Sequence, residues 1–342
     1  MKAFLFSLFL FSFCTEGFSQ NKFNKLYRVD SLQKLAVIFK SMKVIDNAIY
    51  TTGLGVILDS FYYNSGLLMK LDLQGNVQFS KYLGRFPVIN ELNTDILTPI
   101  SNKRILLSGT NLDSSFSVLI LNYNGDSIFK KQYFPSSRDY IYVNPRSSVQ
   151  ISDNRFIIGV NESGRTSTRP VLFTIDSLGN IIDTFKIEGN WTHIGPLQVS
   201  QSKSKKLSVM TRGLTGHFQF VTYKYATQLY EFDTLGNVQW RYETPTNRYV
   251  FGDGFTQLAN GNYLMWGHEE FTRPDTFNRF RLYDSVRTFI QEIKPNVGVV
   301  WNKYFGLPNW GKILDLKIGC LTILVDLFQK CIFVYEFICY LW

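Results

Sequence analysis

A short motif recurs along the chain at intervals of about 50 to 57 residues. Each copy places a polar residue, usually Asp, three residues before a Gly that is followed by Asn or Asp, and a strand-like apolar or aromatic run comes next. The four clear copies are "LDLQGNVQFSKYLG", "LNYNGDSIFKKQYF", "IDSLGNIIDTFKI" and "FDTLGNVQWRYET", around Gly75, Gly125, Gly179 and Gly236. A degenerate fifth copy, "IKPNVGVVWNKYFG", aligns Trp301 with Phe79. Such a period indicates one small structural unit per copy.

The motif predicts a β-hairpin in every unit. Its first acid can accept hydrogen bonds from backbone amides two residues on, and its Gly can adopt the positive φ that reverses the chain. After the turn, alternating bulky residues such as Val238, Trp240 and Tyr242 place apolar surface on one face of a returning strand. The acids in question are Asp72, Asp176 and Asp233.

A second element alternates with the hairpins and has the same period. It begins with a polar residue or pair, continues with about four mainly apolar residues and often ends in Gly, as in "DNRFIIGV" from Asp153 and "NGNYLMWG" from Asn260. The other copies are "DNAIYTTG", "NKRILLSG" and "SKKLSVMT". Each unit therefore contains at least two strands bounded by turn residues.

These units predict an all-β protein. The repeats show no sustained helical period, and 30 Phe, 19 Tyr and 6 Trp suit packed sheets. Antiparallel units of about 50 residues match the blades of a β-propeller. We therefore expect a β-propeller of five to six antiparallel blades, which could be incomplete, and keep a sandwich or a β-solenoid as alternatives. The segment Phe23–Val29 could supply a strand that closes the ring.

The N-terminal segment "MKAFLFSLFLFSFCTEGFSQ" predicts a secretory signal peptide at residues 1–19. Lys2 precedes an apolar run, and the small residues Gly17 and Ser19 stand before the expected cleavage site. In a lipoprotein signal Cys14 would be the modified residue, but Phe13 occupies a position that requires a small side chain. We expect a secreted or cell-surface protein with repeats at 20–311.

The C-terminal segment, residues 312–342, differs in composition from the repeats. It holds Cys320, Cys331 and Cys339, so the repeats before it have no cysteine to form a disulfide. Damage to the reading frame or truncation is the first interpretation, a partial sixth blade the second and a membrane anchor the third. Charged residues interrupt the apolar runs, so we expect no transmembrane span.

The repeats resemble the D-x-x-G-N-x-x-W repeats of secreted β-propeller proteins from Bacteroidetes. The resemblance covers about residues 40 to 310 and implies a secreted propeller, but no specific activity. Many such proteins end in a type IX secretion sorting domain, which is not recognisable here and leaves surface delivery in doubt. The spacing from Asp to Gly differs by one residue from that of Asp-box turns and from that of the quinoprotein dehydrogenase repeats. We therefore infer neither family's cofactor or chemistry for this chain.

Charge and motifs exclude several functions. The net charge is +9, but basic residues are dispersed except in "SKSKK", Ser202–Lys206, which falls at an expected turn, so we expect no nucleic-acid partner. His193, His217 and His268 lack partners at metal-ligand spacing, and we expect neither a metal nor another cofactor. We interpret "NYNGDS", "GLGV" and "GDGF" as turns, and "WGHEEF" (Trp266–Phe271), which leaves a strand end, as a loop charge cluster.

Two functional hypotheses remain. The first is a non-catalytic propeller that binds a glycan, a peptide or a cell-surface protein through its loop face. Its candidate ligand-binding residues are Trp191, His193, Trp266, His268 and Glu269. The second is a hydrolase or lyase that uses carboxylates brought together only by the fold. Successive side chains of a strand point to opposite faces of the sheet, so Glu269 and Glu270 would lie on different faces. This argues against their acting as a catalytic pair. The oligomeric state is not predictable.

Overall fold

The regular secondary structure consists of β-strands throughout the part of the chain that the computed structural model describes. This part comprises residues 35–57, 64–83, 96–111, 113–135, 140–164, 168–187, 194–202, 205–215, 224–233, 236–245, 249–272, 283–305, 312–317, 321–327 and 331–337. The predicted signal peptide, the segment Phe23–Val29 and the residues Trp191, His193 and His217 lie outside it.

Five four-stranded antiparallel sheets follow one another along the chain, each with its strands in chain order. The first sheet holds β1 (Leu35–Ile45), β2 (Ala48–Ile57), β3 (Asn64–Asp72) and β4 (Val77–Tyr82), and the second holds β5 (Leu97–Ile100), β6 (Arg104–Thr110), β7 (Phe116–Asn122) and β8 (Ser127–Tyr133). The third holds β9 (Tyr140–Ser152), β10 (Arg155–Gly164), β11 (Thr168–Asp176) and β12 (Ile181–Lys186). The fourth holds β13 (Ile194–Gln201), β14 (Leu207–Thr215), β15 (Lys224–Phe232) and β16 (Val238–Glu243). The fifth holds β17 (Tyr249–Gln257), β18 (Tyr263–Thr272), β19 (Tyr283–Lys294) and β20 (Gly298–Phe305).

The sheets are the blades of a β-propeller. The first strand of each blade contacts the first strand of the next, from β1 through β5, β9 and β13 to β17. The fourth strand of each blade therefore lies at the outer rim. The C-terminal segment adds a three-stranded antiparallel sheet of β21 (Lys312–Lys317), β22 (Leu321–Leu327) and β23 (Cys331–Phe337), and β21 contacts β17. The prediction of an all-β propeller with about five blades is confirmed.

The core lies between consecutive blades. One apolar cluster joins Phe116 and Tyr133 of the second blade to Phe156 and Phe173 of the third. Similar clusters join the first blade to the second, the third to the fourth and the fourth to the fifth. Because the second, third and fourth sheets bury both of their faces in this way, apolar residues occupy consecutive positions in their second and third strands instead of alternating.

The predicted hairpins connect the third and fourth strands of the first four blades. In the first blade the amide of Gly75 donates to the carbonyl of Asp72 over 2.9 Å, and Gly75 has a φ of 78°. The Asp72 carboxylate accepts 2.7 Å hydrogen bonds from the backbone and side-chain amides of Asn76. The positive φ recurs at Gly125, Gly179 and Gly236. The Asp-to-Asn bonds recur at Asp176–Asn180 and Asp233–Asn237.

The second blade makes the same turn with the two polar residues exchanged. Here Asn122 stands first, and its Oδ1 accepts the backbone amide of Asp126 over 2.9 Å. The Asn122 side-chain amide donates to Oδ2 of Asp126 over 3.0 Å. This turn therefore also contains one side-chain amide and one carboxylate, and the hydrogen bond between them joins the same two turn positions as in the other blades. The predicted turn at "NYNGDS" is confirmed.

A contact that we term the blade joint fastens each of the second and third blades to the blade before it. It consists of the turn glycine of one blade and an aromatic residue on the outer strand of the preceding blade. A Cβ at Gly125 would lie 3.0 Å from Cε2 of Phe79, and a Cβ at Gly179 would lie 2.1 Å from Cζ of Phe129. At Gly236 the corresponding contact, to Phe185, is looser at 3.8 Å. Glycine is thus required for close packing as well as for its φ.

Two sequence-based interpretations of glycines are wrong. "GLGV" lies inside β2 and "GDGF" lies inside β17, so neither is a turn. The "GDGF" glycines permit close approach of neighbouring groups within the sheet, as described below. The segment Ser202–Lys206 does form a turn, since the amide of Ser202 donates to the carbonyl of Lys206 over 2.9 Å.

Candidate functional site

Buried polar and charged residues collect at one end of the propeller. The antiparallel order places the hairpin turns between third and fourth strands at one end, which we term the turn end. The connections between second and third strands lie at the opposite end, which we term the loop end. Buried polar residues on strand segments near the loop end include Thr110, Asn144, Arg146, Asn161, Glu162, Thr227, His268, Glu269 and Thr288. Propeller loops and the strand ends beneath them are the usual place for a site.

A β-bulge in the fifth blade organises this region. In the pairing of β17 with β18, Gly252 lies opposite Gly267 and Gly254 lies opposite Trp266, so Asp253 is left as the additional residue. A Cβ at Gly254 would lie 2.3 Å from the Trp266 ring, and a Cβ at Gly267 would lie 1.9 Å from the carbonyl oxygen of Phe251. The two glycines therefore permit the bulge, which redirects the Asp253 side chain.

Asp253 lies at the centre of what we term the bulge cluster, which comprises Arg212, Phe251, Asp253 and His268. Nδ1 of His268 is 2.8 Å from Oδ2 of Asp253, and a guanidinium nitrogen of Arg212 is 3.6 Å from Oδ1. The Phe251 ring stacks on the imidazole at 4.8 Å, and the Arg212 guanidinium lies 4.9 Å from the centre of the same ring. The Asp253 and His268 side chains are only 2% and 4% exposed.

The bulge cluster can position polar groups in two ways. The Asp253 carboxylate fixes the orientation of the imidazole, in the manner that a second residue orients a catalytic or ligand-binding histidine. Arg212 supplies a positive charge that offsets the buried carboxylate, and it is the most exposed of the three polar members at 20%. Of the cluster, Arg212 alone is more than a few per cent exposed, so it is the member that a ligand at the surface could contact, held in place by Asp253 and Phe251.

Two further carboxylates near the loop end are paired across strands. A guanidinium nitrogen of Arg169 on β11 lies 3.0 Å from the carboxylate of Glu162 on β10. In the same way, a guanidinium nitrogen of Arg287 on β19 lies 2.7 Å from the carboxylate of Glu269 on β18. The Glu162 and Glu269 side chains are 0% and 2% exposed, so each buried negative charge is balanced by its neighbour. The Arg287 guanidinium also lies 3.7 Å from the centre of the Tyr304 ring.

The predicted ligand-binding residues lie in different places. Trp266, His268 and Glu269 lie inside β18, and all three are buried, so the interpretation of "WGHEEF" as a loop charge cluster is wrong. Trp266 packs against Gly254 and His268 pairs with Asp253, whereas Glu269 pairs with Arg287. Trp191 and His193 lie outside the described residues. Whether these five residues bind a ligand stays a prediction.

Sequence reasoning missed Arg212, Phe251 and Asp253. The signal at Asp253 was present, because an acid between two glycines that are themselves flanked by Phe251 and Phe255 is a pattern of a bulge inside a strand. Arg212 carries no such signal, since it belongs to the preceding repeat and meets Asp253 only in the folded chain.

In the described ranges no group of three or more His, Cys, Asp and Glu side chains could hold a metal ion. The same ranges contain no helix with the length and apolar character to cross a membrane.

Comparisons with known proteins give structural likeness alone. No known family profile and no curated protein sequence matches the chain. Puromycin hydrolase is similar with a TM-score of 0.52 and 7% identity, over 91% of this chain and 47% of that one, so the chain spans about half of that enzyme. A member of the DUF4221 family from Bacteroides vulgatus has a TM-score of 0.45 and 10% identity, over 86% of this chain and 87% of that one. An α-L-arabinanase from Penicillium chrysogenum, complexed with arabinobiose, has a TM-score of 0.44 and 11% identity, over 75% and 82%.

Proposed function

We propose that this chain is an exported, non-catalytic β-propeller that binds a carbohydrate at its loop end. The proposed export rests on the predicted signal peptide at residues 1–19 and on the resemblance of the repeats to those of secreted propellers. The proposed site is the bulge cluster, with Arg212 as its most exposed polar member.

The observation that carries the proposal is the pairing of the buried carboxylates. Asp253, Glu162 and Glu269 each contact a guanidinium or imidazole group of the protein. A glycoside hydrolase instead needs two carboxyl groups that face the scissile bond from opposite sides. Carboxylates held in ion pairs serve better as fixed acceptors and as anchors for the neighbouring donors, which supports binding over hydrolysis.

The chemistry of the bulge cluster suits a sugar. Carbohydrate hydroxyls need polar groups in fixed directions, and the partly exposed Arg212 guanidinium is such a group, because the buried Asp253 carboxylate and Phe251 ring hold it in place. Ligand sites generally combine apolar surface with a few oriented polar groups.

A hydrolase is the second candidate, and the pair of His268 and Asp253 is the observation that favours it. An imidazole oriented by a carboxylate over 2.8 Å has the arrangement of a general base. In this case the imidazole would activate water or a nucleophile on a substrate bound at the loop end.

A binding experiment separates these possibilities. The purified mature chain is screened against immobilised glycans, and hits are titrated by calorimetry with the wild type, with Arg212→Gln and with the matched control Arg155→Gln, whose residue is exposed at the start of β10 at the turn end. We expect saturable binding that weakens about tenfold or more in Arg212→Gln, a loss of about 1.4 kcal/mol, and is unchanged in Arg155→Gln.

The same samples test the alternative. Release of reducing ends over time that depends on His268 would favour the hydrolase. Binding to peptides or envelope proteins, with no glycan bound, would overturn the carbohydrate proposal.

A further inference from the structure

An open groove of about 540 Å³ lies between the fourth and fifth blades at the outer rim. One wall is a continuous stretch of the edge strand β16, residues 238–242, and the other is the hairpin turn of the fifth blade at residues 296–298. Because consecutive residues of one strand line it, the groove runs along that strand. Its volume is within the range of small-ligand sites, which is about 300 to 1,000 Å³.

The groove is open because the fifth hairpin turn departs from the repeat. Lys294 and Gly298 are strand partners at the base of this turn, so Val297 stands where the other described turns have their glycine. Val297 is 70% exposed, whereas Gly179 at the same position of the third blade packs against the preceding outer strand. The fifth turn therefore leaves space beside β16 that the blade joints of the second and third blades fill.

The backbone of β16 offers hydrogen-bonding groups to a further strand. β16 is the last strand of its sheet, so one side pairs with β15 and the other is an edge. The amide of Thr244 donates to the carbonyl of Thr227 over 3.0 Å, and the pairing continues without a shift through Trp240. Backbone groups alternate in direction along an antiparallel strand. The amides and carbonyls of Arg241 and Glu243 therefore point to the open edge.

The two faces of this edge differ in character. Trp240 and Tyr242 face the fifth blade, where the Trp240 ring lies parallel to that of Tyr263 with 5.4 Å between centres. Arg241 and Glu243 share the opposite face by alternation. They lie 3.8 Å apart, and their side chains are 58% and 29% exposed. The edge thus presents aromatic surface on one face, and one basic and one acidic group on the other.

We propose that the β16 edge binds an extended peptide, which adds to the fourth blade as a further antiparallel strand. The peptide backbone pairs with the outward amides and carbonyls of Arg241 and Glu243. Peptide side chains on the groove side are apolar and contact Val238, Tyr242 and Val297. On the other side an acid lies opposite Arg241 and a base opposite Glu243, because opposite charges on neighbouring strands attract. The site uses no residue of the bulge cluster, so it is independent of the proposed loop-end site.

The first test compares two capped peptides of one composition, Thr-Lys-Val-Glu-Val-Thr and Thr-Glu-Val-Lys-Val-Thr. Antiparallel pairing sets the Lys of the first, matched peptide opposite Glu243 and its Glu opposite Arg241. The second, reversed peptide meets like charges at both places. Fluorescence anisotropy of labelled peptides titrated with the mature chain measures both affinities. We expect the matched peptide to bind saturably and about threefold or more tighter than the reversed one. The difference should shrink as salt is added.

The second test removes a backbone donor from the edge. Arg241→Pro deletes an amide that is not needed for the pairing with β15, and proline is tolerated on edge strands. The matched control is Ser80→Pro on β4, where the bond from the Leu83 amide to the Gly66 carbonyl sets the same alternation. We expect Arg241→Pro to weaken the matched peptide about tenfold or more, and Ser80→Pro to leave its affinity unchanged. Circular dichroism should show intact β-sheet in both variants.

A third variant tests the charges and keeps the backbone amide. Arg241→Glu sets like charges together with the matched peptide and opposite charges together with the reversed one. The ratio of the two affinities should therefore fall to about one. A general loss of stability would weaken both peptides equally and leave this ratio unchanged.

Four results would overturn the proposal. The first is the absence of saturable binding of either peptide, and the second is equal affinity of the wild type for both. The third is matched-peptide binding that persists in Arg241→Pro. The fourth comes from sedimentation of the wild type without peptide. A dimer that Arg241→Pro dissociates would assign this edge to a second copy of the chain instead.

Discussion

The hydroxyl of Tyr133, on the outer strand of the second blade, donates a 2.9 Å hydrogen bond to the carbonyl of Gly179 in the hairpin turn of the third. The same turn packs against Phe129, and Lys131 reaches Oδ1 of Asn180 over 3.1 Å. Three side chains of one outer strand thus hold the turn of the next blade. Burial and the nearby charge of Asp176 raise the pKa of Tyr133, so its hydroxyl remains a donor well into the alkaline range.

Substitution of turn glycines should separate the cost of φ from the cost of lost space. Gly179→Ala places a methyl group 2.1 Å from Phe129, whereas Gly261→Ala has the same positive φ and meets nothing within 4 Å. We expect Gly261→Ala to lower the free energy of unfolding by about 1 kcal/mol. Gly179→Ala should lower it by about 1 to 3 kcal/mol more. Urea unfolding measures both, and equal losses would show that the blade joint is not tightly packed.

Exchange of the polar pair in the second hairpin should be nearly neutral. Asn122→Asp alone sets two carboxylates against each other and should cost about 1 kcal/mol. The double variant N122D/D126N recreates the arrangement of the other turns and should recover most of this loss. A small deficit should remain, because Asp126 also contacts Lys81 over 2.6 Å and the exchange removes that carboxylate. A double variant less stable than the single one would contradict this account.

The buried pair of Glu269 and Arg287 should behave as a unit. Arg287→Met leaves the carboxylate of Glu269, which is 2% exposed, without its guanidinium and should cost about 3 kcal/mol. Glu269→Gln combined with Arg287→Met should cost less than the sum of the two single changes. The measurement is a double-mutant cycle by chemical unfolding, with a coupling energy of about 1 to 3 kcal/mol expected. Additive losses would mean that the ion pair contributes nothing beyond its separate contacts.

Stability should fall in alkaline solution. Burial raises the pKa of Tyr50 and of Tyr230 to about 12 each, whereas an unfolded tyrosine titrates near 10. The unfolded chain therefore releases these protons first, so the contribution is complete below pH 10 and is lost as the pH rises towards 12. The urea midpoint should decline across this window.

Tyrosine variants test the origin of that decline. Tyr230→Phe removes one buried phenol, which also bonds to Gln228, and should make the decline shallower. Tyr304→Phe is the control. It also removes one phenol hydroxyl and keeps the aromatic ring, but Tyr304 is 39% exposed. An identical pH profile in the wild type and in both variants would rule out the buried phenols as the cause.

The hairpins were predictable because their determinants are local. Asp72, Gly75 and Asn76 form their bonds within five residues, and the φ that the turn needs selects glycine directly. The number of blades followed from counting these turns. The aromatic at Phe79 was visible in the repeat, but its contact with Gly125 belongs to two different units and needs the fold.

The candidate site was less predictable. "WGHEEF" breaks the pattern of a buried strand, since three charged or titratable residues follow one another, and such a run suggests solvent. In the structure His268 and Glu269 are buried on β18 because each meets a partner of another strand, Asp253 and Arg287. The partner Arg212 comes from another blade. No local rule indicates pairs of this kind.

The blade joint also bears on how such an array can change in length. A unit of about 50 residues carries an aromatic residue on its outer strand and a glycine in its hairpin, and each of these contacts the neighbouring unit, not its own. Duplication of one unit therefore supplies both halves of the blade joint, so the new blade can pack against a neighbour on each side without further change. The fifth unit has Val297 where the other described turns have their glycine, so it gives up this interchangeability.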